Sequence, residues 1–316
     1  MLRSIYAVKI LVIKPSSLGD VIHGLRVMKQ VHSFFQDAKI DWVIKEELSG
    51  ILKASGFIHQ IFPYQRKGGM YSYLNLILKI RRNKYDYIFD LQGLLRSGII
   101  TFFAKGRKKL GVADGREFST FFYSSIGEKS RKKEIHAIDK LTPFLKTLGI
   151  KDFDSSLPLK FDNSYVRAKT KKLLGGKPFI ILFPESRRPE KMWPYFEELF
   201  WELKKESGYE VLVAGNKRAG DFKGSIDARG KFSLLELPFV ISKSNAVVTN
   251  DSAPLHIASA MSVPTVALFG PTSKNKYGPY PKNQRIFRVI EGINNQIRSI
   301  TTKTVIRAIQ EITSGQ

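Results

Sequence analysis

One stretch of the sequence, NDSAPLHIASA, carries residue types that could bind an anion such as a diphosphate. It lies between two short apolar runs. Its pattern predicts a helix over about 253–261, capped by Asp251 or Ser252, with Pro254 in the first turn. Backbone N–H groups in a first helical turn have no partner within the helix, so they form an anion site. The alternative is an ordinary helix cap above a buried histidine, His256.

A second candidate loop, SRRPEKMWP (186–194), follows a buried apolar run and precedes a helix that begins near Pro194. Its basic side chains, Arg187, Arg188 and Lys191, could neutralise a pyrophosphate at the carboxyl end of a strand. The alternative is a solvated basic loop. The sequence contains neither GxxxxGK(S/T) nor GxGxxG, so the ordinary fingerprints of phosphate and dinucleotide binding are absent.

In the first half, the loop KPSSLGD joins an apolar run to a helical pattern. Ser17 and Asp20 are spaced as in a capping box, in which two side chains complete the first turn of a helix. The functional alternative is that the Asp20 carboxylate accepts the proton of an attacking hydroxyl, which becomes acidic only as the new bond forms. His23 is a rival base, although a residue in this position more often lies on a helix surface.

Apolar runs bounded by Gly, Pro or Ser predict the strands that must position these loops. Longer helical patterns separate them, for example 21–35 and 195–206, and this alternation favours an α/β fold with covered parallel sheets. We therefore expect two Rossmann-like domains facing an interdomain cleft, with ligands beyond the carboxyl ends of the strands. The runs are KILVI (9–13), DWVI (41–44), YDYIFDL (85–91), PFIILF (178–183), YEVLVAG (209–215), NAVVT (245–249) and PTVALF (264–269).

The two halves of the chain begin alike, each with a strand, a Pro-Ser or Pro-Glu-Ser loop and a helix. The polar segment SSLPLKFDNS (155–164) is the expected boundary between them. We predict an N-terminal domain over 1–160 and a C-terminal domain over 161–316. The last helix, near 301–313, is a candidate to pack back on the first domain.

Composition narrows the class of protein. The chain has 316 residues, 43% hydrophobic and 25% charged, and no cysteine, so disulfides and thiolate metal sites are excluded. No apolar run approaches the roughly 20 residues of a membrane span. The N-terminal run contains lysines, which indicates a first strand and not a signal peptide. We therefore expect a cytoplasmic protein.

The formal net charge is +24, which predicts an anionic partner: nucleic acid, a membrane face or a phosphorylated substrate. Many basic residues lie in runs in the first half, at 65–69, 79–84, 105–109 and 129–134. A nucleic-acid partner is disfavoured, because no recognised motif is present and aromatic residues are not regularly interleaved with the basic runs.

Together these loops resemble the ADP-heptose:lipopolysaccharide heptosyltransferase family, and most closely its heptosyltransferase I branch. The resemblance spans nearly the whole chain, and the segment 250–272 carries the most specific part of it. The matching segments occur in the family's order: KPSSLGDVIH (14–23), DLQGLLRSG (90–98), GREFSTFFY (115–123), IHAIDK (135–140), KMWP (191–194), KFSLLEL (231–237) and NDSAPLHIASAMSVPTVALFGPT (250–272).

The resemblance implies a GT-B fold, with the acceptor bound mainly by the first domain and the nucleotide sugar by the second. It implies an inverting, metal-independent and cofactor-free transfer of heptose from ADP-heptose to the Kdo region of lipid A, in lipopolysaccharide inner-core biosynthesis. The enzyme would then be peripheral on the cytoplasmic face of the inner membrane, held by its anionic surface. The alternative is a related GT-B glycosyltransferase with another nucleotide sugar or acceptor.

By matching position, the resemblance implies a role for each of fifteen residues. Asp20 corresponds to the catalytic base. The donor is assigned to three segments: Ser186, Arg187 and Lys191; Lys231 and Phe232 at the adenine; and Asp251, Ser252, Ala253 and His256. The acceptor is assigned to Ser17, Gly19, Arg66, Lys67 and Arg116.

The sequence departs from the family pattern in three places. The usual Asp-(Ser/Thr)-Gly signature is Asp-Ser-Ala at 251–253, and a pair of threonines before Lys191 is replaced by Ser-Arg. The ribose-binding glutamate expected after Gly215 is absent: Ala219 occupies its place, and Asp221 is the nearest substitute. These departures keep open the identity of the nucleotide and of the sugar.

Overall fold

The computed structural model describes residues 7–35, 37–65, 67–126, 134–159, 164–206, 208–215, 222–283 and 285–314. It divides into two units, Met1–Leu157 and Pro158–Gln316, each with its own sheet. The boundary predicted from the sequence lies after residue 160. The acceptor-binding and donor-binding roles given to the two domains stay predictions.

The first unit contains a parallel sheet in the order β3-β2-β1-β4-β5-β6, so the strand order reverses between β1 and β4. Its strands are β1 (Lys9–Ile13), β2 (Lys39–Lys45), β3 (Ile58–Tyr64), β4 (Lys84–Asp90), β5 (Lys105–Gly111) and β6 (Ser125–Ile126). Its helices are α1 (Leu18–Phe34), α2 (Ser49–Ser55), α3 (Gly69–Arg81), α4 (Leu95–Phe103) and α5 (Thr142–Thr147), with 3-10 turns at Glu46–Leu48 and Ser119–Phe122.

Both faces of the central strands are buried, which explains why KILVI is an almost continuous apolar run. On one face, α3 and α4 pack through Leu76, Ile80 and Ile100 against Leu11 and its neighbours. On the other face, α1 approaches the sheet at Gly24. A methyl group added there would lie 3.0 Å from the Trp42 ring, so a small residue is needed at this contact.

The second unit repeats this plan with the order β12-β11-β10-β7-β8-β9 and a reversal between β10 and β7. Its strands are β7 (Phe179–Phe183), β8 (Glu210–Val213), β9 (Ile226–Asp227), β10 (Ala246–Asn250), β11 (Thr265–Phe269) and β12 (Phe287–Glu291). Its helices are α6 (Ser164–Leu174), α7 (Phe196–Glu206), α8 (Leu237–Ser242), α9 (Ala253–Ala260), α10 (Lys274–Tyr277) and α11 (Thr302–Thr313), with 3-10 turns at Pro189–Lys191, Ile293–Asn295 and Ile297–Ser299.

The last helix, α11, belongs to the second unit. Its residues Val305, Ala308, Ile309 and Ile312 form an amphipathic stripe at helical spacing, and this stripe joins the core of the second sheet. The expectation that this helix packs back on the first domain stays a prediction. Its apolar stripe is already used against β10, β11 and α7.

The structure confirms the strands predicted from buried apolar runs, with bounds shifted by a residue or two. It adds β3, β5 and β12 and the two-residue strands β6 and β9, which were not predicted from the sequence. The strand β5 has the sequence KGRKKLG and contains the basic run 105–109. Four of its side chains are cationic, and three of these, Lys105, Arg107 and Lys108, are exposed. The chain therefore forms a strand without an apolar pattern, because it extends a sheet that β4 has already started.

A buried carboxyl, Asp90, ends β4 at the point where the strand order reverses. It accepts hydrogen bonds from the backbone N–H groups of Gln92 (2.9 Å) and Gly93 (3.0 Å) and from the Tyr123 hydroxyl (2.8 Å). Burial raises the pKa of the Asp90 carboxyl above its ordinary value, and these three donors oppose the rise only in part.

We expect Asp90→Asn to remove a pH dependence of stability. A raised pKa means that the folded state binds more protons than the unfolded state, so stability falls as pH rises above the unfolded value of about 4. Urea midpoints measured at about pH 4.5 and about pH 7 should therefore differ less in the variant than in the wild type.

The matched control is Asp154→Asn. The hydrogen bond from Lys29 lowers the pKa of Asp154 to about 2, so its stabilisation is lost only as pH falls. That variant should keep the wild-type difference between the two pH values. If the difference between the two urea midpoints were the same in Asp90→Asn as in the wild type, the pKa of Asp90 would not be raised in the folded protein.

Candidate functional site

In the second unit, an ion pair joins two loops that follow neighbouring strands. The Lys191 ammonium lies 2.6 Å from Asp251 Oδ2, and the side chains are 16% and 6% exposed. The Thr272 hydroxyl donates to the same carboxylate oxygen over 2.7 Å. The loops after β7, β10 and β11 thus meet at one carboxylate, at the carboxyl edge of the sheet where ligands of such folds bind.

The loop that carries Lys191 is fixed by the side chain of Asn250, the last residue of β10. Its amide nitrogen donates to the Pro184 carbonyl (3.0 Å), and its amide oxygen accepts from the Trp193 N–H (3.0 Å). The Trp193 ring is buried, and its Nε1–H donates to the Ile300 carbonyl over 2.9 Å. Asn250 therefore holds the loop at Pro184 and at Trp193, and Lys191 lies between these two residues.

The helix α9 begins as the sequence predicts. Ser252 is its N-cap residue in an extended conformation, its hydroxyl lies 3.2 Å from that of Thr249, and Pro254 is in the first turn. The Leu255 N–H already donates to the Ser252 carbonyl, and proline has no N–H. Among the described residues at this helix start, the N–H groups of Ser252 and Ala253 are therefore the ones that an anion can engage.

The other predicted donor residues around these loops occupy different environments. His256 is buried on α9, with 7% of its surface exposed, as the core-histidine alternative requires. Ser186 is half-buried and Arg187 is exposed. The neighbouring Arg188 is paired with Glu190. The donor roles of His256, Ser186 and Arg187 stay predictions.

Phe232 is half-buried, and the Lys169 ammonium lies 4.9 Å from the centre of its ring. Lys169 is in turn held by Glu236 at 2.9 Å. A cation therefore covers one face of Phe232, while Lys231 beside it is exposed. The adenine role of both residues stays a prediction.

The carboxylate of Glu185 lies directly against the backbone of Gly215, at the end of β8. A methyl group added at Gly215 would be 3.1 Å from Glu185 Cδ, and the glycine φ is +145°, so both space and conformation favour glycine. The resemblance implies a carboxylate after Gly215, whereas Glu185 precedes it in the sequence by 30 residues. Ala219, which occupies the place of that carboxylate, and Asp221, the nearest substitute, lie outside the described residues.

In the first unit, Asp20 is both a capping residue and an accessible carboxylate. Its Oδ2 accepts from the Ser17 backbone N–H (3.1 Å) and from the Ser17 hydroxyl (2.9 Å), so the predicted capping box is present. The Lys14 ammonium lies 3.7 Å from the same oxygen, and the Asp20 side chain is 42% exposed. Capping fixes the carboxylate and leaves it open to a ligand.

The structure corrects the description of His23. This ring is 2% exposed and makes an edge-to-face contact with His136 at 5.6 Å, so it lies in the core and not on the helix surface. A buried ring is not available to a substrate hydroxyl, which leaves Asp20 as the candidate base of this loop. Gly19, beside Asp20, is buried in the first turn of α1.

Two of the predicted acceptor cations, Lys67 and Arg116, are exposed. The backbone N–H of Arg116 donates to the Gly93 carbonyl (2.8 Å), which ties the Arg116 loop to the loop after β4. Arg66 lies outside the described residues. The acceptor roles of all three stay predictions.

Three further residues contact or anchor the loops of the second unit and were given no individual role from the sequence: Thr272 and Asn250, which lie in the matching segment 250–272, and Tyr277, whose ring lies 5.9 Å from the Lys191 ammonium. Asn250 directly follows the apolar run 245–249, and Thr272 lies three residues after the end of the run 264–269, so both are placed at strand ends by the sequence. Of the helices in the described part of the chain, none combines the length and hydrophobicity that a membrane span requires.

Comparison with known proteins gives consistent matches. The model of glycosyltransferase family 9 (heptosyltransferase) matches residues 73–304. The lipopolysaccharide heptosyltransferase 1 of Campylobacter coli is 27% identical over 295 residues, which cover 84% of each chain.

Two solved structures resemble this chain along its length. The Escherichia coli heptosyltransferase WaaC with ADP-2-deoxy-2-fluoro heptose has a TM-score of 0.75 at 23% identity, over 96% of this chain and 99% of that one. The E. coli ADP-heptose lps heptosyltransferase II has a TM-score of 0.81 at 21% identity, over 97% and 99%. The expected fold class, two Rossmann-like units with parallel sheets of the GT-B type, is confirmed.

We expect Lys191→Met to destabilise the second unit by about 3–5 kcal/mol, because it leaves the buried Asp251 carboxylate without its cation. The double variant Lys191→Met/Asp251→Asn should recover part of that loss. Lys177→Met, which breaks an exposed ion pair with Glu210 in the same unit, is the control and should change stability far less. The free energy of unfolding is measured in urea. Equal losses in Lys191→Met and Lys177→Met would contradict the claim that burial makes the Lys191–Asp251 pair costly to break.

Proposed function

The chain belongs to glycosyltransferase family 9, the heptosyltransferases, and from that premise we propose that it transfers heptose from ADP-heptose to the Kdo region of lipid A. It is a glycosyltransferase, and the proposed place of the reaction is lipopolysaccharide inner-core biosynthesis. The observation that carries the proposal is the buried Lys191–Asp251 ion pair, which holds a cation where neighbouring strand ends meet.

The donor end of the proposal rests on Lys191. A departing diphosphate gains negative charge as the bond to the sugar breaks, and a fixed ammonium in a partly buried site stabilises that charge more than a solvated one does. The Ala253 N–H at the start of α9 adds a second donor for the same oxygens. This chemistry needs no metal ion in the proposed mechanism.

The acceptor end rests on Asp20. An acceptor hydroxyl attacks the anomeric carbon, a new C–O bond forms, the bond to ADP breaks, and the hydroxyl proton passes to the Asp20 carboxylate. Attack from the face opposite to the leaving ADP inverts the configuration. The two hydrogen bonds from Ser17 fix the carboxylate that receives the proton.

The exposed cations Lys67 and Arg116, with Arg66, are proposed to bind the anionic groups of the Kdo–lipid A acceptor. A lipid acceptor places the enzyme at a membrane. We therefore propose peripheral association with the anionic cytoplasmic face of the inner membrane, without a nucleic-acid partner.

A second candidate is a related transferase with another nucleotide sugar or acceptor. The position of Ala219, where the family has a ribose-binding glutamate, favours it. Glu185, which lies against Gly215, supplies a carboxylate at the neighbouring strand end. It could bind the ribose in place of the missing glutamate, which favours a nucleotide sugar as the donor in both candidates.

The proposal is tested by a transfer assay with mass-spectrometric detection. Purified protein is incubated with ADP-heptose and Kdo–lipid A in excess chelator, and we expect the acceptor to gain the mass of one heptose. A gain only after a divalent metal is added would overturn the metal-free mechanism. No gain with ADP-heptose but a gain with another nucleotide sugar would establish the second candidate.

Asp20→Asn should lower the turnover rate by about 10²- to 10⁴-fold, the usual contribution of a general base. The amide oxygen can still accept from the Ser17 N–H, so the fold should be retained. The control is Thr301→Ala, which removes the N-cap of α11 in the second unit. It should cost about 1 kcal/mol of stability while transfer persists. Transfer retained in Asp20→Asn would exclude Asp20 as the base.

A further inference from the structure

The outer surface of α3 is apolar where a surface helix is usually polar. The helix buries Leu76 and Ile80 against the sheet, yet Tyr71, Leu74 and Leu78 on its outer side are 83%, 52% and 61% exposed. These three residues follow one another at helical spacing and form a continuous stripe. Soluble proteins seldom leave such a stripe uncovered without an interaction partner.

The stripe continues onto the end of α4 through Arg81. The Arg81 guanidinium lies 6.0 Å from the ring of Phe103 and donates to the Phe103 carbonyl over 3.2 Å. Phe102 and Phe103 are 56% and 42% exposed, and their rings contact each other at 5.1 Å. The five exposed residues Tyr71, Leu74, Leu78, Phe102 and Phe103 are called here the α3–α4 face.

Two cations, Arg81 and Lys109, lie at the α4 end of this face, and acids are missing from the segments that build it. Neither 65–85 nor 93–110 contains an aspartate or glutamate. At the end of α4, the Lys109 ammonium donates to the Phe102 carbonyl (2.6 Å) and lies 5.7 Å from the Phe102 ring. Partial burial, and then the nearby Arg81, lower the pKa of Lys109, because both disfavour its charged form. Arg81 and Lys109 are held at the neighbouring carbonyls of Phe103 and Phe102, so an anion between them would face two cations.

We propose that the α3–α4 face docks on the surface of an anionic lipid bilayer, with its aromatic and aliphatic side chains in the interface and Arg81 and Lys109 on lipid phosphates. Apolar side chains bordered by Lys and Arg are what an interfacial helix needs to lie in a membrane surface. The proposal deepens the proposed function, since a lipid acceptor requires the enzyme to work at a membrane.

A protein partner fits these observations less well. A docked protein would have to supply apolar contacts and a large negative charge together. A bilayer rich in anionic lipid presents both over any area. The aromatic side chains also suit the boundary between headgroups and acyl chains, where amphipathic rings concentrate.

The test is flotation of the full-length protein with vesicles of phosphatidylcholine alone and with vesicles that also contain phosphatidylglycerol. We expect binding only to the anionic vesicles. Leu74→Ser/Leu78→Ser should reduce the bound fraction about tenfold, because the two exposed side chains no longer enter the interface. Ile293→Ser, at a residue 71% exposed in the second unit, is the matched apolar control and should bind as the wild type.

A charge variant tests the same face without removing apolar surface. Arg81→Gln/Lys109→Gln should weaken binding to anionic vesicles more than Lys303→Gln/Arg307→Gln, which removes the same charge from α11. Equal losses in the two charge variants, or wild-type binding by Leu74→Ser/Leu78→Ser, would overturn the proposal. If Leu74→Ser/Leu78→Ser bound vesicles as the wild type does but sedimented differently, the face would be a self-association surface, and the docking proposal would be overturned.

Transfer assays separate this proposal from the proposed function. Leu74→Ser/Leu78→Ser should transfer at the wild-type rate to an acceptor dispersed in detergent, and more slowly to the same acceptor in vesicles. Equal rates on both acceptors would contradict the docking surface. Vesicle binding is measured without any substrate, so it can succeed or fail whether or not heptose is transferred.

Discussion

The loops of the second unit depend on the ion pair between Lys191 and Asp251. Withdrawing two charges from water costs about as much as their attraction returns, so such a pair adds little to stability by itself. The chain nevertheless fixes it, through Asn250 on one side and the Thr272 hydroxyl on the other. The arrangement is better explained by a need to hold an ammonium ready for an anionic ligand, which the proposed diphosphate would be.

The central strands and α9 could be predicted from the sequence, because their residues are almost uniformly apolar and their ends are marked by Pro, Gly or Ser. The strand β5 could not be, since its cationic residues give no apolar pattern and its conformation comes from pairing with β4. The ion pair could not be predicted from spacing either, because Lys191 and Asp251 are 60 residues apart and meet only when β7 and β10 are adjacent.

The two interpretations of Asp20, as a helix cap and as a base, describe one geometry. A carboxylate that must accept a proton has to be held in a fixed direction while one side stays open, and the capping box provides that restraint through local backbone contacts alone. The sequence presented these interpretations as alternatives because a pattern of residue types does not give exposure. His23 illustrates the same gap, since only packing places its ring in the core.

The charge of +24 is informative only through its distribution. Screening limits the reach of a surface charge to about 10 Å at moderate salt, so distant cations cannot orient the enzyme on a membrane. Cations beside exposed rings can, since they act at contact distance together with apolar burial. Arg81 at Phe103 and Lys109 at Phe102 meet this condition within the first unit. Orientation would therefore come from the α3–α4 face, while the remaining positive charge would only raise the local concentration of protein near anionic lipid.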